Sequence, residues 1–349
     1  MDAVAILQEI APESLSLVEN RYRILAAIHA LAPVGRRTLA QALGQSERSL
    51  RRELDRLKEL GLLDSNHHGV FLRTEGFRLL GSLQVLIRDS HDIGSLERDL
   101  QVSLGLNRLI VVAGDSDKDS FVKTELAKAA KRYLVEVLHN GDVLAVSGGT
   151  TLSEVGQAFG PGSIGRKVTV IPARGGLGED VNIQANSVAA RLAQGLGGTY
   201  RLLHAPDTVE PAFLKTLLSE PRIRHVIALI RRADVLLHGI GTAEEMAKRR
   251  GLDEEQLMHL ISEGAVGEAF GYYFDPKGSI VFATSSVGLQ LEDLARIPRK
   301  IAVGGGRSKA WALLSVVSAG YCDVCITDEG AARRLMSLIK KREETENGN

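Results

Sequence analysis

From Leu106 onward the chain repeats one pattern. A short apolar run breaks at Gly, Ser, Pro or Asp, and in several places a helix-period stretch follows. The runs are "RLIVVA", "DVLAVS", "KVTVIPA", "YRLLHA", "HVIALI", "DVLLHGIG", "SIVFAT", "KIAVGGG" and "DVCITD". "DSFVKTELAKAAKRYLVEVL" and "SKAWALLSVVSAG" are helix-like between them. Strands that are apolar throughout are buried on both faces, and helical crossovers return each one parallel to the last. The expected class is α/β, a Rossmann-like parallel sheet over residues 106–340 with ligands at the carboxyl ends of its strands. Only 4% of residues are aromatic and 36 are glycine, which suits aliphatic packing and many tight turns.

The first 76 residues have a different texture. "RYRILAAIHAL" puts Ile24, Leu25, Ile28 and Leu31 on one helical face. "GRRTLAQALG" is a short helix closed by Gly44, and "SERSLRRELDRLKELGLL" follows, with Ser46 as N-cap and Leu50, Leu54, Leu57 and Leu60 as its apolar stripe. A β-hairpin comes next: Leu62 and Leu63 enter, Asn66 to Gly69 turn, and Val70 to Leu72 return. This order is that of a winged helix-turn-helix. With the leucines inward, Arg48, Arg52 and Arg56 point outward and Arg51 flanks them. Arginine suits guanine edges and phosphates. Ser49 is short enough for close approach near the helix start. Arg36 and Arg37 open the preceding helix, where phosphate contacts come. Arg73, in the return strand, reaches from the wing. The expected partner is double-stranded DNA. Residues 77–105 read as a helical linker, with Leu79, Leu80, Leu83, Leu86 and Ile87 as a stripe suited to pairing subunits. Residues 341–349 read as a charged tail.

Four strand ends carry groups suited to anions. "SGGTT" offers Gly148 and Gly149, whose backbones an anion can approach, then the hydroxyls of Thr150 and Thr151 at a helix start. A nucleotide P-loop would need a lysine there, and a dinucleotide fingerprint a third glycine. Neither is present, so a sugar phosphate fits better than ATP or NAD. "IPARGGLGED" supplies Arg174, Gly175 and Gly176; "HGIGTAEEMAKRRG" supplies Arg249 and Arg250; "VGGGRSKAWALL" sets Gly304, Gly305 and Gly306 before Lys309. Glu268 is a carboxylate that could accept sugar hydroxyls. Two glycine-rich turns with Arg and Lys could hold two phosphates at opposite ends of one ligand.

Other functions are excluded or left without support. No run of eighteen apolar residues is present, so no membrane span is expected, and the first residues lack the basic start of a signal peptide. A cytoplasmic location is the expectation. Formal net charge is zero, so any nucleic-acid contact must come from a local patch. Cys322 and Cys325 stand in a strand-like stretch, not on one helical turn, and read as core residues rather than a redox pair. His67 and His68 have no Cys or carboxylate spaced to share a metal. No metal and no catalytic residue is assigned. The alternative, a sugar-phosphate isomerase or deaminase-like enzyme, needs a base; Glu154, Glu179, Asp180 and Glu268 are its candidates.

The order of winged helix-turn-helix, linker helix, "SGGTT", "PARGG", "GIG" and "GRSKAWALLSVVSAGYCDVCITDEGAA" resembles the SorC-type sugar-binding transcriptional regulators over nearly the whole chain. The resemblance, nearest to the members that govern glycolytic genes, implies a repressor. Its effector domain would be similar to sugar-phosphate isomerases and glucosamine-6-phosphate deaminases. The implied effector is fructose 1,6-bisphosphate or a related sugar phosphate, with no cofactor, and the implied assembly is a homo-oligomer, dimer or tetramer. Carried onto these residues, Gly149, Thr150 and Thr151 would hold one phosphate with Lys309 nearby. Arg174, Gly176 and Arg249 would meet the other end, and Gln184 and Glu268 the sugar.

Overall fold

The computed structural model describes residues 3–160, 164–178 and 180–347. The chain divides into two compact units between Ser95 and Leu96.

The first unit contains helices α1 (Ala3–Ile10), α2 (Pro12–Leu31), α3 (Arg36–Leu43) and α4 (Glu47–Glu59). Strands β1 (Leu63–Asn66) and β2 (Gly69–Leu72) form a hairpin, and α5 (Thr74–Ser90) follows. Ile24, Leu25, Ile28, Leu39, Leu50, Leu57 and Leu63 are its most enclosed side chains. Two expected core positions lie outside: Leu31 and Leu60 are 45% and 47% exposed, because each ends its helix past the last core contact. The hairpin turn is tighter than expected. Asn66 pairs with Gly69, which leaves only His67 and His68 in the turn. The expected boundary at residue 76 shifts, since α5 packs along α2 as part of this unit.

The second unit starts within α6 (Ile93–Ser103) and continues through β3 (Arg108–Val112), α7 (Phe121–Val137), β4 (Val143–Val146), α8 (Thr150–Phe159) and β5 (Thr169–Pro172). Then come α9 (Ala185–Leu196), β6 (Thr199–Tyr200), α10 (Pro211–Ser219), α11 (Pro221–Ile230), β7 (Val235–Gly239), β8 (Gly241–Thr242), α12 (Ala243–Arg249) and α13 (Glu254–Ser262). The remainder is β9 (Gly267–Ala269), β10 (Tyr272–Phe274), β11 (Ile280–Ala283), α14 (Leu291–Leu294), β12 (Arg299–Val303), α15 (Ala310–Ser318), β13 (Val324–Asp328) and α16 (Glu329–Asn347).

Seven strands form one parallel sheet in the order β3-β13-β12-β7-β4-β5-β6. The chain runs outward from β4 through β5 to β6, then returns to β7 and runs the other way through β12 and β13. Neighbours β4 and β7 therefore flank the point where the winding reverses, and a doubly wound sheet opens a crevice there. At the other edge, the β3 amides of Leu109 and Val111 donate to Gln101 Oε1 (3.3 Å) and Glu97 Oε1 (2.6 Å), one helical turn apart on α6.

Two expected sheet strands are placed otherwise. "HVIALI" is the second half of α11: Pro221 opens that helix, Glu220 accepts from Ile223 N at 2.8 Å, and Ile223, Val226, Ile227 and Ile230 are buried at helical spacing. "SIVFAT" forms β11 in a separate antiparallel sheet, β11-β10-β9-β8. "YRLLHA" is strand only at Tyr200, as the last residue of β6.

Candidate ligand pocket and nucleic-acid interface

A solvent-open cavity of about 850 Å³ lies at the carboxyl ends of β4 and β7, where the winding reverses. Ser147 links the two strand ends: its amide donates to Leu237 O at 3.0 Å and its Oγ accepts from Gly239 N at 3.1 Å. Gly148 then passes against the start of α9, where an ideal Cβ would fall 2.6 Å from Ile183 O and 3.0 Å from Ala185 N. Two helix amino-termini, those of α8 and α9, thus meet the cavity together, and Gln184 stands at the N-cap position of the second. First-turn amides have no acceptor within their own helix and carry positive partial charge. The amide of Gly149 is not among them, because it donates to Ile183 O at 2.8 Å. The unbonded first-turn amides of α8 therefore begin at Thr150.

Gly175 and Gly176 serve packing rather than anion contact. Their amides donate to Val287 O (3.1 Å) and Ala205 O (2.9 Å), and a Cβ on Gly175 would strike Pro206. That close approach brings Asp207, which sequence reasoning missed, into the pocket wall. Arg174 Nε lies 2.7 Å from Asp207 Oδ1; Asp207 Oδ2 meets Arg250 Nη1; Arg250 Nη2 donates to Glu268 Oε1 at 2.8 Å. All four side chains are buried. Burial, with the nearby Arg250 charge, lowers the Arg174 pKa to about 9. The two arginines are balanced by two carboxylates, so Arg174 and Glu268 wall the site as one neutral unit instead of offering separate charges. Arg249, half-buried, lines the cavity beside Met246.

Lys309 also lines the cavity, its Nζ 3.5 Å from Ile240 O, and burial lowers its pKa. The glycine turn before it does not hold phosphate as expected. Its amides donate to carboxylates: Gly306 N to Asp328 at 2.7 Å, Ser308 N to Asp117 at 2.7 Å, Arg307 N to Asp115 at 3.3 Å. Of the carboxylates weighed for catalysis, Glu179 lies outside the described residues, Glu154 is half-buried on α8, Asp180 caps the turn at Asn182, and Glu268 is bound to Arg250. Cys322 and Cys325 are buried free thiols; hydrogen bonding to Cys325, then burial, push the Cys322 thiol well above its usual range.

In the first unit, Ser46 Oγ accepts from Ser49 N at 3.2 Å and fixes the start of α4. Arg48, Arg51, Arg52 and Arg56 are exposed on that helix, as are Arg36 and Arg37 on α3. Arg56 is bound to Glu59 at 3.0 Å, while Arg51–Asp55 and Arg37–Glu47 are looser at 4.0 and 3.9 Å. Among the described residues Arg36, Arg48 and Arg52 form no ion pair. Arg73 stands at the N-cap of α5 rather than within the return strand.

A family model described as a sugar-binding domain matches residues 90–337, and one described as the CggR N-terminal DNA binding domain matches residues 17–87. The Bacillus subtilis protein named central glycolytic genes regulator is 40% identical over 94% of this chain and 97% of its own length. The chain belongs to the SorC family of sugar-binding transcriptional regulators. A solved SorC-family structure from Enterococcus faecalis is 38% identical, with a TM-score of 0.65 over 69% of this chain and 99% of that one. The full-length sorbitol operon regulator from Klebsiella pneumoniae shares the fold at 17% identity, with a TM-score of 0.67 over 89% of this chain and 96% of its own. These SorC-family relatives are regulators, not enzymes. Among the described residues no helix is long and apolar enough to cross a membrane.

Proposed function

We propose that this SorC-family protein represses glycolytic genes and that a phosphorylated sugar, fructose 1,6-bisphosphate, modulates its hold on operator DNA. The observation that carries the reading is the pocket at the sheet's reversal point. Two helix amino-termini, the hydroxyls of Thr150 and Thr151, and the cations Lys309 and Arg249 line one cavity. That set favours a ligand bearing phosphate. The first phosphate meets Thr150, Thr151 and Lys309; Arg249 meets the far end; Gln184 and the Glu268 wall meet the hydroxyls between. The 40% identity to a central glycolytic genes regulator supports the gene class.

DNA is read by α4 through Arg48, Ser49, Arg51, Arg52 and Arg56, with Arg36, Arg37 and Arg73 on the backbone and Ser46 fixing the helix start. The protein acts as a homo-oligomer, a dimer or tetramer, on a paired operator site. Ligand and operator affect each other reciprocally, since an effector shifts only an equilibrium whose states it binds unequally. The test is operator binding at fixed salt with and without fructose 1,6-bisphosphate, using DNA selected by the protein from a random pool. A change in affinity, stoichiometry or cooperativity is expected. No change at saturating ligand overturns the proposal.

A further inference from the structure

The turn that carries Lys309 is held from outside itself. Asp117, exposed on the loop between β3 and α7, accepts from Ser308 N at 2.7 Å and from Ser308 Oγ at 3.0 Å. Asp115 on the same loop accepts from Arg307 N at 3.3 Å. Asp328, fully buried at the end of β13, accepts from Gly306 N at 2.7 Å and Ser116 N at 2.9 Å, which joins the two loops. Three glycines make room for these three carboxylates. A Cβ on Gly305 would run into Asp328, on Gly306 into Asp117, and on Gly330 into Asp115. Gly306 also sits at φ +100°. The Lys309 amide returns to Gly306 O at 3.0 Å, so the lysine backbone is fixed to the same turn.

We infer that Asp117 is a positioning residue for the effector phosphate: by gripping Ser308 twice it fixes the turn that aims Lys309 into the cavity. The inference rests on the phosphate reading of the pocket. Lysine is a point charge on a flexible four-carbon stem, so the place of its backbone governs how much freedom is lost on each contact. Asp117 is also an anion near a proposed anion site. By Coulomb's law alone, deleting it should tighten phosphate binding. Positioning requires the opposite sign, and the two explanations separate on that point.

The test uses the full chain and its single tryptophan, Trp311, two residues beyond Lys309. In fluorescence titrations with fructose 1,6-bisphosphate, Asp117→Ala should weaken binding about tenfold, roughly 1.4 kcal/mol. Asp117→Asn, which keeps an acceptor oxygen for Ser308, should recover most of it. Lys309→Ala and the double variant Asp117→Ala/Lys309→Ala should bind alike. Binding by Asp117→Ala as tight as, or tighter than, the parent overturns the inference, as do losses that add in the double variant. A ligand-free arm follows acetylation of Lys309 by acetic anhydride, read by mass spectrometry. The rate should rise severalfold in Asp117→Ala but stay near the parent's in Asp117→Asn, which loses the same charge and keeps the acceptor. Equal rates in parent and Asp117→Ala, or equal rises in both variants, overturn the inference whatever the effector is. If the parent binds no phosphorylated sugar while that rate still rises, the effector reading fails and the hold of Asp117 on Lys309 stands.

Discussion

Arg250 donates through Nη2 to Glu268 Oε1 across 2.8 Å, and the same guanidinium rests against Asp207, all three side chains buried. Charges removed from water persist only when balanced, and deleting one partner leaves the other stranded. Glu268→Ala should therefore destabilise the second unit by about 3–5 kcal/mol, by the usual cost of breaking a buried pair. Urea unfolding of that unit measures it. Glu268→Gln, which keeps the shape and one acceptor, should lose less. Equal losses would mean that charge, not shape, matters at this wall.

Thr151→Glu places a carboxylate in the first turn of α8, inside the proposed phosphate site. Like charge should abolish the thermal shift given by fructose 1,6-bisphosphate, while effector-free operator binding stays at the parent level. Gly148→Ala should reach the same loss by a different route, since its Cβ would force apart the two helix starts that share the site. A persisting thermal shift in both variants would place the ligand elsewhere.

Arg48 and Arg52 are exposed and form no ion pair among the described residues, whereas Arg56 is bound to Glu59 at 3.0 Å. Arg48→Ala or Arg52→Ala should weaken operator binding more than Arg56→Ala. Where the lost contact is to phosphate, the slope of log affinity against log salt should flatten by about 1. Fluorescence anisotropy over a salt series checks both statements. Equal effects from all three arginines would show that the carboxylate on α4 does not matter.

His238 is fully buried in β7, where its Nδ1 lies 3.1 Å from Gly239 O and serves as the donor. Burial lowers its pKa from 6.5 to about 4. The unfolded chain therefore binds a proton at a higher pH than the folded one does. Stability is intact above about pH 6.5 and falls as pH drops toward 4, by about 3 kcal/mol at the lower end. Urea midpoints at pH 7 and pH 5 should differ in that direction, and His238→Phe should remove most of the difference. An unchanged pH slope in that variant would assign the effect to other groups.

What the sequence shows of this molecule follows from how locally each feature is written. Strands such as "DVLAVS" are apolar from end to end, so the sheet is legible from composition along the chain. "HVIALI" is equally apolar, but its helical start lies four residues earlier in Glu220 and Pro221, outside the run itself. The turn at Thr150 and Thr151 was legible because one segment holds both the glycines and the helix start. Asp207 was not, because its role depends on Arg174 and Arg250, which are distant in sequence. The glycines before Lys309 misled for a related reason. A turn built for a phosphate and a turn built for a neighbouring aspartate use the same residue, and only the fold shows which anion arrives.

The guarding of β3 by α6 bears on how the molecule can be cut. Glu97 and Gln101 occupy the two amides with which β3 could otherwise bond to a foreign strand. A fragment that starts at Leu106, where strand-like sequence begins, would be stripped of both and should associate edge to edge on purification. One that starts at Ile93 carries its own seal. The natural seam for dissection therefore lies ahead of the helix, at Ile93, well before β3 begins at Arg108.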